Sequence, residues 1–290
     1  MLGNSELILT PEGCIYHLDL LPEEIADTVI TVGDPGRVQE VSKHFDRIEV
    51  QKSHREFITH TGYIGNKRVC VISTGIGPDN IDIVLNELDA LVNIDLDSRT
   101  EKPVPHSLKI IRLGTSGALQ QDIETDQVVV STFGIGLDNL LHYYKHEYNA
   151  EESYILNDFK NHTLLHGNPV QPYIAEGSIQ LLNKFSGNFI HGITVTCPGF
   201  FAPQGRRIRL PLTFPNLVDK LADFESGGHH RITNFEMETS AIYGLGKLMG
   251  HQCISINSII ANRQTKTFSK NPAAAVNRMI EDSLEIISGL

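Results

Sequence analysis

Three apolar, β-branched runs each stop at a turn built from small residues, and that recurrence constrains the fold more than any other feature of the chain. Asp27–Val32 leads into Gly33-Asp34-Pro35-Gly36-Arg37. Lys67–Ser73 leads into Thr74-Gly75-Ile76-Gly77-Pro78, and Leu108–Leu113 into Gly114-Thr115-Ser116-Gly117. A short apolar run bounded by such a turn is a buried strand. In an α/β sheet, ligands sit in loops at the carboxyl ends of strands, where glycines let backbone N–H groups approach and hydroxyls add donors. Three such turns argue for one shared site better than any of them alone.

Helical segments follow the first two turns. RVQEVSKHF continues from the first, placing Arg37 in a helix's first turn, where free N–H groups and a guanidinium together suit an anion. After the second, Ile81, Val84, Leu85, Leu88, Leu91 and Val92 form an i, i+3, i+4, i+7 stripe over Asn80–Asp95. Arg112 lies one residue before the end of its apolar strand and needs an anionic partner if buried, either a structural carboxylate or a ligand.

DLDSRTEKPVPHS is polar and proline-bearing, a surface loop before the Leu108 strand. Gln127–Thr132, Phe189–Thr196 and Cys253–Ile260 are further strands, while Tyr143–Pro172 is mixed and charged, with no clear period. Asn234–Ser240 opens a helix running to Met249, with Thr233 and Glu236 at capping-box spacing. A loop at Ala261–Asn271 precedes a C-terminal helix over Ala273–Ser288. Strands alternating with helices predict an α/β fold with a mainly parallel or mixed sheet flanked by helices on both faces. No repeat or low-complexity tract divides residues 1–290, so we expect a single domain.

A net charge of −11, from 24 Lys+Arg against 35 Asp+Glu, disfavours nucleic acid and membranes as partners. The Arg206-Arg207-Ile208-Arg209 cluster is then a local anion contact or a solvated loop. Cys14, Cys70, Cys197 and Cys253 show no C-x-x-C spacing and read as reduced, packing cysteines. With no signal segment and no membrane-length apolar run, the expected location is the cytoplasm. The thirteen histidines contain no H-x-x-x-H pair, and His229-His230 sits in a Gly-rich turn, so no metal centre is expected. Dinucleotide, Walker A and serine-hydrolase motifs are absent.

Seven segments in order carry a resemblance over about 230 residues: GDPGR at 33–37, SHREF at 53–57, STGIG at 73–77, RLGTSGALQ at 112–120, FFAPQGR at 200–206, NFEMETSA at 234–241 and ANR at 261–263. Together they resemble the nucleoside phosphorylase-I family, most closely its uridine phosphorylase branch. The resemblance implies one α/β domain whose mixed sheet closes partly into a barrel. It implies reversible phosphorolysis of uridine to uracil and ribose 1-phosphate, a pentosyl transfer in nucleoside salvage that needs no cofactor.

By the same resemblance, Gly33, Arg37, Arg112 and Thr115 hold phosphate, joined by Arg55 from a neighbouring subunit. His17, Met237 and Glu238 hold the ribose, with His17 reaching across a dimer. Phe200 stacks on the base, Gln204 and Arg206 read its edge, and Arg263 supports that pair. A homodimer is the implied minimum and a hexamer of three dimers the larger form; some relatives hold a monovalent cation at the dimer interface, near the position of Glu56. The competing expectations are a purine nucleoside phosphorylase or nucleosidase of the same family, and a non-catalytic nucleoside- or phosphate-binding protein. Purine members carry an aspartate after the last strand as general acid, where this chain reads Ala261-Asn262-Arg263.

Overall fold

The computed structural model describes residues 1–165 and 169–290. In chain order the elements are β1 (Thr28–Val32), α1 (Pro35–Ser42), β2 (Arg47–His54), β3 (Phe57–Ile64), β4 (Lys67–Ser73) and α2 (Pro78–Asn93). A small ribbon of β5 (Ile94–Asp95) and β6 (Thr100–Glu101) precedes β7 (Lys109–Ala118) and β8 (Val128–Gly136). Then come α3 (Ala150–Thr163), β9 (Tyr173–Glu176), α4 (Ile179–Lys184), β10 (Ile190–Thr196) and α5 (Leu217–Ala222). The chain ends with β11 (Glu225–Ser226), β12 (His230–Glu236), α6 (Thr239–Met249), β13 (Gln252–Asn262), β14 (Thr267–Phe268) and α7 (Pro272–Ser288).

Strand β1 lies parallel between β4 and β7, so the three glycine-rich strand ends emerge side by side. Beyond β7 the order is β13, β8, β10, β12, with β8 antiparallel to β13. Strand β12 then returns to pair antiparallel with β7 at Asn234↔Ala118 and Phe235↔Gly117. Strands β7, β13, β8, β10 and β12 thus close a five-strand barrel inside a larger mixed sheet. That closing register runs β12 back along β7 and brings Glu236 and Glu238 towards Arg112.

Alternation along the central strands supplies cores on both faces of the sheet. Val29 and Ile110 pack with Ile81, Leu85 and Leu88 of α2 and with Ile242 and Leu245 of α6. Their neighbours Ile30 and Ile111 pack with Val38 and Val41 of α1 and with Met279, Ile280 and Ile287 of α7. A third cluster seats Ile155 and Phe159 of α3 and Leu221 of α5 on Ile193 and Ile232 of the barrel. All four cysteines are buried and unpaired. Among the described residues no helix is long and apolar enough to cross a membrane.

Several local expectations need correction. Gly114–Gly117 is not a turn: it continues β7, because β13 and β12 both supply ladder partners through this stretch. Asn234–Glu236 ends a strand rather than opening a helix, and the Thr233–Glu236 capping box does not form. Thr233 is a buried strand residue, its hydroxyl donating to Ile193 O at 3.2 Å. Tyr143–Pro172 contains α3, started by a capping box between Asn149 and Glu152; residues 166–168 of this segment lie outside the described residues. The 261–271 segment contains β14, which pairs with the end of β13, and the DLDSRT loop folds into the β5–β6 ribbon.

Candidate active site

The ends of β1, β4, β7 and β12 open onto a cavity of about 740 Å³. Nine residues singled out from the sequence line it: Gly33, Arg37, Arg112, Thr115, Phe200, Gln204, Arg206, Met237 and Glu238. Arg37 is set by the first turn of α1, whose start Asp34 caps by accepting from Gly36 N at 2.9 Å. Its Nη1 donates to Leu113 O at 3.2 Å. Burial, then the charge of Arg112, lowers the proton affinity of Arg37, so this guanidinium gains from an incoming anion.

Arg112 is 5% exposed and points from β7 into the barrel mouth. Its Nη1 donates to Asn257 Oδ1 at 2.6 Å; its Nη2 donates to Glu238 Oε2 at 2.5 Å and lies 3.1 Å from Glu236 Oε2. Burial opposes this cation, but Glu236 and Glu238 outweigh it and raise the Arg112 pKa. Gly114 makes the geometry fit, since a Cβ there would lie 1.9 Å from Arg112 Nη1. Asn257, which the sequence reading missed, was signalled only as an amide in the middle of a buried strand.

The two carboxylates differ in what they have left to offer. Glu236 accepts from Thr196 Oγ1 at 2.7 Å, from Glu238 N at 2.9 Å and from Thr239 N at 3.1 and 2.9 Å, so it caps α6 from the end of a strand. Among the described residues, Glu238 accepts only from Gly77 N at 2.9 Å besides Arg112. Burial raises its pKa, against the pull of Arg112. Glu238 is therefore the carboxylate with lone pairs free for a ligand's hydroxyls, and Met237 lines the cavity beside it.

At the far end, Arg206 lies over the Phe200 ring with its guanidinium carbon 3.7 Å from the centroid. Its Nη1 donates to Gln204 Oε1 at 2.5 Å and to Phe200 O at 2.7 Å. Burial, then the nearby Arg263, lowers the Arg206 pKa to about 10. Arg263 is outside the cavity lining and donates to Gln204 O at 2.9 Å, bracing the loop from behind. Ile76, Ile260 and Phe268 add an apolar wall that sequence reasoning did not anticipate; nothing near Phe268 distinguished it from a surface loop residue.

At Ala261-Asn262-Arg263, where the resemblance to purine members implies an acid, there is no carboxyl group. Ala261 lines the cavity, and Asn262 is turned away, donating to Gln120 O and Ile123 O and accepting from Gln264 N and Thr265 N. Besides Arg263, two sequence-derived residues, Arg55 and His17, lie outside the cavity. Arg55 is exposed beside Tyr16, 3.4 Å from its hydroxyl, and His54 Nδ1 is 3.0 Å from His17 O. Glu87 of α2 holds this surface turn, accepting from the backbone of His17 and Leu18 and meeting His17 Nδ1 at 2.6 Å.

The comparisons with known proteins agree with this geometry. The family model described as the phosphorylase superfamily matches residues 27–289. A Trypanosoma brucei nucleoside phosphorylase, whose crystal structure is described as showing uridine phosphorylase activity, superposes with a TM-score of 0.90 and 31% identity, over 98% of this chain and 100% of that one. The uridine phosphorylase of Thermococcus kodakarensis is 28% identical over 98% of this chain and 91% of its own, and that of Haemophilus influenzae 26% over 86% of each. A family match over nearly the whole chain, joined to a barrel mouth furnished with the family's motifs, means that this chain belongs to the phosphorylase superfamily.

Proposed function

We propose that the protein catalyses the reversible phosphorolysis of uridine, giving uracil and ribose 1-phosphate. The observation that carries the base assignment is the Gln204–Arg206 pair, braced by Arg263 beside the Phe200 ring. Phosphate sits between Gly33, Arg37, Arg112 and Thr115, because permanently charged guanidiniums and backbone N–H groups suit a dianion. Glu238 accepts from the ribose hydroxyls, with Met237 beneath the sugar.

An oxygen of phosphate then forms a bond to C1′ as the C1′–N1 bond breaks, and that bond's electron pair leaves with the base. Charge accumulates on the uracil carbonyls, where Arg206 donates, while Gln204 pairs with N3–H and a carbonyl. A Glu238 carboxylate that accepts from the ribose hydroxyls also favours positive charge at C1′. Arg55 and His17, outside their own cavity, complete the phosphate and ribose ends of the site in a second copy of the chain. The working unit is accordingly at least a homodimer.

Cytosine lacks the N3 proton and places an amine where Arg206 expects an oxygen, so cytidine leaves the Gln204 acceptor and an Arg206 donor unpaired. Uridine should be preferred over cytidine in kcat/KM by about a thousandfold or more. Arg206→Ala should abolish most turnover of uridine without changing the melting temperature. Comparable turnover of the two nucleosides would refute the base assignment.

A further inference from the structure

The β11–β12 hairpin turns through Gly227-Gly228 and presents His229 and His230 together. Neighbouring side chains in a strand face opposite ways. His229, however, still belongs to the turn, and the two rings lie with centroids 4.0 Å apart. A third group comes from far away in sequence: Glu151, in the first turn of α3, with its Oε1 3.0 Å from His230 Nε2. One ligand atom from each of the three lies within 4.8 Å of the others. None of them lines the cavity described above.

The surroundings prepare the histidines as ligands. His229 Nδ1 is 2.7 Å from Gly227 O. A carbonyl only accepts, so Nδ1 carries the hydrogen and Nε2 keeps its lone pair, the arrangement metal-bound histidines use. His230 is packed edge-on against Phe133, which fixes its ring beside Glu151. Glu151 and His229 are exposed, so an ion can reach them from solvent.

We propose that Glu151, His229 and His230 bind one divalent transition-metal ion of the zinc class. Two imidazoles and a carboxylate are a zinc-type donor set, whereas magnesium and calcium call for oxygen ligands. Bonds of about 2.0–2.2 Å place donors roughly 3.3 Å apart, so the His230–Glu151 pair, now at 3.0 Å, opens slightly, while His229, whose donor lies within 4.8 Å of the others, closes in on the ion. The ion takes the place of the proton between His230 Nε2 and Glu151, and the imidazole turns to its Nδ1–H tautomer. Water fills the fourth position. The ion then ties α3 to β12, the strand that delivers Glu236 and Glu238. The doublet is named in the sequence but discounted there for its Gly-rich turn and the lack of an H-x-x-x-H pair; the third ligand, 79 residues from His230, comes to it only through the fold.

The test is calorimetric titration of the chelator-treated full-length protein with ZnCl2 in a phosphate-free buffer, with MgCl2 as control. One zinc per chain should bind and raise the melting temperature, and MgCl2 should do neither. His229→Ala and Glu151→Gln should each weaken zinc binding by about tenfold or more and remove the zinc-dependent rise, with metal-free melting unchanged. Co²⁺ added to the wild-type protein should give the visible absorption of a tetrahedral site, a readout that needs no variant. Absence of stoichiometric zinc binding, binding equally strong in both variants, or no tetrahedral cobalt spectrum would overturn the proposal.

Discussion

Arg112 is held by Glu236 and Glu238 inside the barrel mouth, so it serves stability and ligand binding together. Arg112→Ala strands two buried carboxylates and should cost about 3–5 kcal/mol of stability in denaturant unfolding. Arg37 gives the cleaner test. It is repelled by Arg112 and, among the described residues, meets no carboxylate at ion-pairing distance, so Arg37→Ala should melt near the wild-type temperature while kcat/KM for phosphate falls by about a hundredfold or more. A separate titration belongs to Asp138, whose carboxylate accepts from Leu140 N at 2.8 Å and Tyr173 Oη at 2.9 Å. Burial raises its pKa in the folded state. The native protein then binds a proton more tightly than the unfolded chain does, and stability from this group grows as pH falls through its folded pKa. Asp138→Asn should melt above wild type near neutral pH, and the gap should close on acidification; thermal scans across that range check it.

At the scale of elements, the site depends on strand ends arriving at one place in register. Gly114 lets β7 carry Arg112 without collision, and Gly75, at φ +71°, turns the chain out of β4 with Asn80 Nδ2 2.2 Å from where a Cβ would stand. Gly114→Ala should destabilise by about 1–3 kcal/mol through overpacking and raise the KM for phosphate, as unfolding and initial-rate measurements would show. Much of this was legible from sequence: β4 matches its expected bounds, and the apolar stripes of α2 and α7 gave those helices to within two residues. What could not be read locally depends on long-range pairing. GTSG resembles a turn until β13 and β12 flank it, and the Glu236 cap resembles a helical residue until β12 is seen to close on β7. Helix α3 escaped because its buried stripe includes Glu152 and Thr163, which blur the apolar period. The cavity's arginines and Glu238 were visible through motif resemblance, whereas Phe268 and Asn257 acquire meaning only once the sheet brings them to the site.

For the whole molecule, each cavity needs a partner if Arg55 and His17 act across an interface. Arg55→Ala and Arg37→Ala would then damage different halves of a shared site. Mixed after dissociation, the two variants should recover about a quarter of wild-type activity, since half the dimers are mixed and each holds one intact site. Recovery no greater than the sum of the separate variants would place Arg55 outside the reaction. On the proposed function, this barrel mouth passes a ribosyl group from a pyrimidine to phosphate. The measurement that meets it most directly is release of free base from uridine and from inosine, each with and without phosphate, followed by chromatography. Uracil formed only in the presence of phosphate, with inosine left intact, is the predicted result. Hypoxanthine release from inosine, or base release independent of phosphate, would contradict it.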